Sequence, residues 1–417
     1  MKEILVFADW HGLPQIQLMG RLRIEMVKGE EIFSFEYDKI WLESGLAQEL
    51  DPELTLYAGP QYIHDDKPNF GLFLDSAPDR WGRMLMDRRE ALKMRVEGKA
   101  GKKLLESDYL LGVDDETRMG ALRFKLQENQ AFLANEQIKI PPITRLRELE
   151  QASLRIEADD FFQNPEDIDT LSLLIAPGSS LGGARPKSNV RDLEGNLWIA
   201  KFPSRNDDIN SGAWEFVANQ LAREVGIDVA EADAQKFSQK QHTYLTRRFD
   251  RIHTSKRIHF ASAMTLLGYK DGYNHREGGS YLEILEFIEQ YGAQPDTDIK
   301  ELWKRIVFSV AISNTDDHLR NHGFLLTPMG WKLSPAYDIN PNPRGNGLSI
   351  NISDEDNALD FDLCLDVADF FRWPRPQATA FIQTTQACVK RWRSIAKSMN
   401  IPFVEQEIMK PAFLSTP

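Results

Sequence analysis

The stretch ISNTDDHLRNHGFLLTPMGWKLSPAYD, residues 312–338, decides the fold. Just upstream, residues 301–312 put Leu302, Ile306, Val310 and Ala311 on one apolar helical face, and the helix is expected to stop where Asn314 and Asp316 compete for the backbone. Residues 323–327 and 331–334 are short strand-like runs joined by Pro328, Met329 and Gly330, a hairpin signal, so the chain doubles back and returns Asp338 towards the polar loop. A phosphoryl-transfer site of the protein-kinase type needs this order of helix, loop, hairpin and acidic residue. In such a site one Asp orients the attacking hydroxyl, while an Asn and a second Asp hold Mg2+ on the nucleotide phosphates. Asp316 takes the first role, and Asn321 and Asp338 take the metal role. Alone, the segment reads equally well as turn chemistry, in which Asp and Asn are common.

A second constellation lies upstream. In PGSSLGGARPK, residues 177–187, Gly182 and Gly183 stand between Ser180 and Lys187 and suit a loop whose backbone amides approach phosphate oxygens. It is neither of the common nucleotide-binding glycine fingerprints, and by itself a Gly-Gly pair is more often only a turn. A strand, a turn at DLEGN and a second strand follow over residues 187–201, presenting Lys201. Glu215 then lies in a helix over residues 211–226, where a solvated position is the plainer expectation. Glycine loop, strand lysine and helix glutamate is the order of a kinase nucleotide lobe. Residues 243–250 read as a strand ending in charge, where a kinase-like chain would cross between lobes and meet adenine through its backbone.

The 417 residues allow two or three domains, and 42% hydrophobic with 27% charged residues is a globular composition. A net charge of -13 argues against a protein that coats nucleic acid by itself. Cys364 and Cys388 are too few for a disulfide framework, which points to a reducing cytoplasm. Neither a signal peptide nor a membrane-length apolar run is evident, so a soluble intracellular protein with no membrane partner is expected. Residues 2–8 and 20–37 alternate like strands, with WHGLP as the turn between the first two, and residues 78–99 read as a helix with Pro78 near its first turn. Residues 108–112 look like a helix end and 119–124 a strand. A helix to Phe162 and a boundary near residue 165 follow. His11 and His64 read as surface residues. Residues 365–373 and 377–399 read as amphipathic helices, with KRWR at 390–393 a small basic cluster.

LGGARPK, WIAKFP, LTRRFDR, TDDHLRNHGFLL and LSPAYD, in that order, resemble the HipA family of bacterial serine/threonine kinase toxins. FLDSAPDRWGRMLM and LLGVDDETRMGALRF look like its amino-terminal motifs, so the likeness runs to about Ser349 and fades beyond. The resemblance implies an α+β, two-lobed, protein-kinase-like fold. Residues 1–165 would form a small β-rich amino-terminal subdomain, 166–249 the nucleotide-binding part, and 250–417 a mainly helical lobe carrying the catalytic and metal-binding loops. It implies ATP and Mg2+ as cofactors and phosphorylation of a protein, with aminoacyl-tRNA synthetases the better-known targets. It also implies a helix-turn-helix antitoxin as partner, with operator DNA reached only through it.

Residue by residue, the resemblance implies Asp316 as the catalytic aspartate, Asn321 and Asp338 as the metal pair, and Lys201 as the nucleotide lysine. Gly182, Gly183, Ala184, Arg185, Pro186 and Lys187 match the phosphate loop, and Arg247, Arg248 and Phe249 the adenine hinge. His318, Leu319, Arg320 and Asn321 match the catalytic-loop part of the ATP site, and Tyr337 the neighbour of Asp338. Ser180 matches a self-phosphorylated serine, with Ser179 the competing candidate. Arg247 stands where an acidic residue occurs in a member of the family; since hinge contacts to adenine are mainly backbone ones, the departure bears on nucleotide preference rather than on catalysis. Two other classes stay open: a small-molecule phosphotransferase of similar fold, and a non-catalytic corepressor that helps an antitoxin hold DNA. Asp316, Asn321, Asp338 and Lys201 together weigh against the second.

Overall fold

The alternating pattern of the amino-terminal residues folds into three antiparallel strands, Lys2–Ala8, Gln17–Val27 and Glu30–Tyr37. The run at 20–37 is a hairpin, because Lys28 and Gly29 both take positive φ, 52° and 92°, the turn that matches strand twist. Gln61–Tyr62 and Leu122–Lys125 complete a five-stranded sheet, pairing with Glu30–Tyr37 and Lys2–Ala8 respectively. His11 and His64 are exposed, as expected.

The computed structural model describes residues 1–64, 67–98, 103–133, 140–158, 161, 167–175, 183–237, 241–252 and 256–413. Two compact units divide the chain, Met1–Arg205 with Asp250–Lys270, and Asn206–Phe249 with Asp271–Pro417. The sequence segment 166–249 is therefore shared between them. Ser179, Ser180 and Gly182 lie outside the described residues.

In the first unit the helix Arg80–Glu97 starts one turn's cap after Pro78. Asp79 is its N-cap and accepts from the Gly82 amide, and Gly98 ends it in the left-handed conformation. Further on, Leu146–Ile156 buries Leu146, Leu149 and Ile156 and ends short of the expected Phe162. The returning segment 250–270 is fastened to this unit by buried carboxylates. Asp75 accepts from the amide and hydroxyl of Ser262, Asp250 accepts from the Gly120 amide, and Asp115 meets Arg257 at 3.0 Å.

The second unit holds the helix Ser211–Glu224, the paired strands Ala232–Gln235 and Thr243–Arg247, and the helices Tyr281–Tyr291 and Pro295–Ala311. The last begins upstream of the expected residue 301, since Pro295 supplies a pre-set φ at its first position. Near the carboxyl end the helices are Phe361–Asp366, Arg375–Val389, Trp392–Ser398 and Phe403–Met409. The single helix expected over 377–399 breaks at Lys390 because Trp392 turns into the core, stacked 4.5 Å from Phe413 and 5.7 Å from Trp214. Glu405 accepts from the Trp214 indole and the Asn210 amide, tying the carboxyl-terminal helices to the start of Ser211–Glu224. Arg391 and Arg393 of the basic cluster are paired with Glu224 and Glu407. No helix among the described residues is long and apolar enough to cross a membrane.

Trp214 is 1% exposed at the centre of this aromatic group. Trp214→Ala should lower stability by about 3–5 kcal/mol, the cost of emptying an aromatic site in a packed core. Trp214→Phe should cost much less, and urea-unfolding midpoints followed by tryptophan-independent circular dichroism check both.

Candidate active site

The helix Pro295–Ala311 ends at Ile312, and Ser313 follows with a φ of 50°, so the chain leaves the helix in a sharp turn. Residues 313–322 then fold on themselves. The Asp317 amide donates to Asn314 O and the Asn321 amide to His318 O, while the Asp316 carbonyl accepts from the His318 amide and from Asn321 Nδ2 at 2.9 Å. The strands Gly323–Thr327 and Gly330–Leu333 pair as expected. Gly330 has a φ of 121°, and a Cβ there would stand 2.6 Å from Tyr291 O, so the turn needs glycine. Asp298 and Arg305 of the preceding helix bind the Leu333 amide and the Ser334 carbonyl, which fixes the hairpin against the helix.

The adjacent aspartates of the loop have opposite environments. Asp316 is exposed, whereas Asp317 is buried and accepts from the Tyr281 hydroxyl at 2.6 Å and the Ser309 hydroxyl at 3.0 Å, with His322 Nε2 at 3.0 Å. Burial would push the Asp317 carboxyl up, but His322, Tyr281 and Ser309 together hold it below the usual carboxylate range. Asp317 and His322 were not among the expected site residues. The DDH sequence is the signal for them, but a doublet does not tell which carboxylate faces in.

Asp338 has a φ of 57°, a conformation that Asp tolerates because its short side chain can bond locally, and Asn340 Nδ2 donates to it at 3.0 Å. Asn314 Oδ1 accepts from the Asn340 amide, and the Tyr337 hydroxyl donates to Arg320 O at 2.7 Å. These bonds lash the acidic turn to the loop, and Asn314, Asn321 and Tyr337 line one small cavity. Tyr337 also faces Phe249, ring centres 5.5 Å apart, which brings the expected hinge to the same place. Arg248 is buried, while Arg247 gives its amide to Glu231 O and its guanidinium to the Glu231 carboxylate. Leu319 is buried and Arg320 lies 3.6 Å from Asp271. Glu215 is buried rather than solvated. The Tyr244 phenol is pushed well above its ordinary value by burial and then by the charges of Glu215 and Asp338.

In the first unit the strand Lys187–Arg191 pairs with Leu197–Lys201 across a turn closed by Asp192, which accepts from the Glu194 and Asn196 amides. Lys187 stands directly opposite Lys201. Gly183 and Ala184 are exposed, Arg185 reaches towards Phe202 O, and Pro186 O accepts from the Phe202 amide. Lys187 is buried and ion-paired with Asp79 at 2.8 Å, a partner that sequence spacing did not indicate.

Asn321 and Asp338 carry oxygens of the kind Mg2+ takes. Asn321 donates its Nδ2 to Asp316 O, which leaves its side-chain oxygen to serve as a metal ligand, and Asp338 would add a carboxylate. An amide and a carboxylate are the sparse oxygen set that Mg2+ takes when phosphates and water complete its shell. His318 Nδ1 is buried without a hydrogen-bond partner among the described residues, an atom that a bound ligand could satisfy.

Glycine-bearing lysine hairpin, helix glutamate, polar loop and acidic turn define an α+β fold of the protein-kinase type. A solved HipA structure from Shewanella oneidensis MR-1, in a toxin-antitoxin complex with HipB and operator DNA, matches 98% of this chain and 96% of its own, with a TM-score of 0.64 at 17% identity. It shares the fold. The family model of the HipA-like C-terminal domain matches residues 179–398, over half of the chain, and the chain belongs to that family. The match runs well past Ser349, where the sequence likeness was expected to fade. Two curated relatives agree: a Haemophilus influenzae protein whose name calls it a candidate kinase, 28% identical over 40% of this chain, and the Shewanella oneidensis serine/threonine-protein kinase toxin HipA, 26% identical over 46%. The chain spans about half the length of the curated relatives it matches, 54% and 50%.

Asp317→Asn should cost about 3 kcal/mol or more at neutral pH, since it breaks a buried, hydrogen-bonded ionic group. The native carboxyl is depressed, so its contribution is present above the ordinary value of 3.8 and is lost as pH falls below it. The gap between wild type and variant in urea midpoint should therefore be wide at neutral pH and narrow progressively as pH falls below 3.8.

Proposed function

We propose that the protein is an ATP- and Mg2+-dependent serine/threonine protein kinase, the toxin of a bacterial toxin-antitoxin pair working in the cytoplasm. The observation that carries this is the split of the aspartate doublet: Asp317 is spent on holding the loop, and Asp316 is left exposed beside the amide of Asn321. An exposed carboxylate on a rigid loop can accept the proton of an incoming hydroxyl. Asn321 and Asp338 would hold Mg2+, which when bound offsets charge on the transferring phosphoryl group. Lys201 and Lys187 would offset phosphate charge from the hairpin, and residues 247–249 would meet adenine. The domain roles of residues 1–165, 166–249 and 250–417 follow the same reading.

The solved relative was seen with an antitoxin and operator DNA. We take a helix-turn-helix antitoxin as the partner here and DNA contact as passing through it. The charge of -13 and the pairing of Arg391 and Arg393 with glutamates support that division. A translation-related target such as an aminoacyl-tRNA synthetase, and self-phosphorylation at Ser180, rest on the family resemblance.

Incubation with labelled Mg2+-ATP and a bacterial extract should label protein bands and Ser180. Asp316→Asn should bind ATP yet transfer phosphate roughly 10²–10⁴-fold more slowly, and Asp338→Ala should lose transfer altogether. Wild-type rates in folded Asp316→Asn, or label appearing only in small molecules, would sink the proposal. A gel-shift by the isolated chain at physiological salt would contradict the assignment of DNA binding to the antitoxin.

A further inference from the structure

Two lysines stand as direct cross-strand neighbours at the open end of the hairpin, Lys187 opposite Lys201, so both side chains leave the same face. Like charges so placed repel. Lys187 is also almost wholly enclosed, and a buried ammonium is costly without a counter-charge. Asp79 supplies it: its Oδ2 lies 2.8 Å from Lys187 Nζ, and each side chain is 2% exposed.

The carboxylate cannot turn freely, because Oδ1 accepts from the Gly82 amide at 2.7 Å as the N-cap of Arg80–Glu97. The positive end of that 18-residue helix favours the ionised form. Two residues on, the Trp81 indole donates to Lys187 O at 2.9 Å. The start of one helix thus grips both the side chain and the backbone of Lys187. Lys187 Nζ in turn lies 3.3 Å from Gly183 O, and Gly183 has a φ of 101°. A chain of contacts runs from residues 79–81 through the lysine to the glycine loop.

We infer that Asp79 is a positioning residue for nucleotide binding, acting through Lys187, so that the DSAPDRWG segment of the amino-terminal sheet unit is part of the phosphate-binding apparatus. The inference rests on the nucleotide-binding reading above. A plain structural pair joining helix to hairpin would affect stability alone; a positioning role affects affinity in the folded protein.

The test is a double-mutant cycle on the full chain, with Mg2+-ATP dissociation constants from calorimetry and urea midpoints on the same samples. Asp79→Asn keeps a good helix cap while removing the charge, and should weaken ATP binding roughly tenfold, the size of one lost charge-assisted bond. Lys187→Gln should do at least as much. The double variant should regain stability relative to Asp79→Asn, because no buried charge is left unpaired, yet bind ATP no worse than Lys187→Gln alone. Trp81→Phe should weaken binding in the same direction by less. ATP affinity unchanged in Asp79→Asn, or losses that multiply in the double variant, would overturn the inference while leaving the kinase reading intact. No ATP binding by the wild type would overturn the nucleotide reading and this inference with it.

Discussion

A carboxylate buried in protein persists as an anion only where donors replace the water it has lost. At Asp317 the partners come from three separate stretches: the hydroxyls of Tyr281 on one helix and Ser309 on the next donate, and the His322 ring at the far end of the loop lies at 3.0 Å. The loop is therefore closed on itself and pinned to two helices by one side chain. Everything at the candidate site takes its place from that. Asp316 faces outward because its neighbour faces inward, and the Asp316 carbonyl is where it must be to orient Asn321. Asn314 is set to receive the turn that carries Asp338. Preorganisation of this kind lets a few polar groups act on developing charge without first having to be arranged.

Local order was largely legible in the sequence. Helical spacing ending at a polar run gave the helix before the loop, and Pro-Met-Gly gave the hairpin after it. These features depend on residues near one another in the chain, and turn chemistry acts at that range. What could not be read depends on distant partners. Nothing around Lys187 names Asp79, more than a hundred positions away, and nothing in DDH says which carboxylate is enclosed. Glu215 passes for a surface glutamate until the packing of its helix is known. The break at Lys390 has no proline or glycine to announce it; it follows from the place Trp392 takes beside Phe413, a case of tertiary packing overriding an amphipathic pattern. The basic cluster at 390–393 looks free in sequence, and both its arginines are paired in the fold.

The kinase-type reading and the buried Lys187–Asp79 pair share one physical theme. Phosphate sites collect like charges, and a protein without nucleotide must keep those charges from destabilising it. The hairpin encloses one lysine against a carboxylate from elsewhere in the chain, while its cross-strand neighbour Lys201 stays half-buried, an arrangement that would serve such a site. The amino-terminal motif, which has no chemistry of its own in the sequence, gains a reason for its Asp and Trp.

The chain passes between its two compact units at residues 205, 249 and 270, and the family match from 179 to 398 takes in parts of both. Residues 250–270 carry Ser262 and Arg257, whose partners Asp75 and Asp115 belong to the amino-terminal sheet unit. Exchanging the sheet in front of residues 250–270 would leave the Ser262 amide and the Arg257 guanidinium without these acceptors, a burial cost that only carboxylates in the same places would offset.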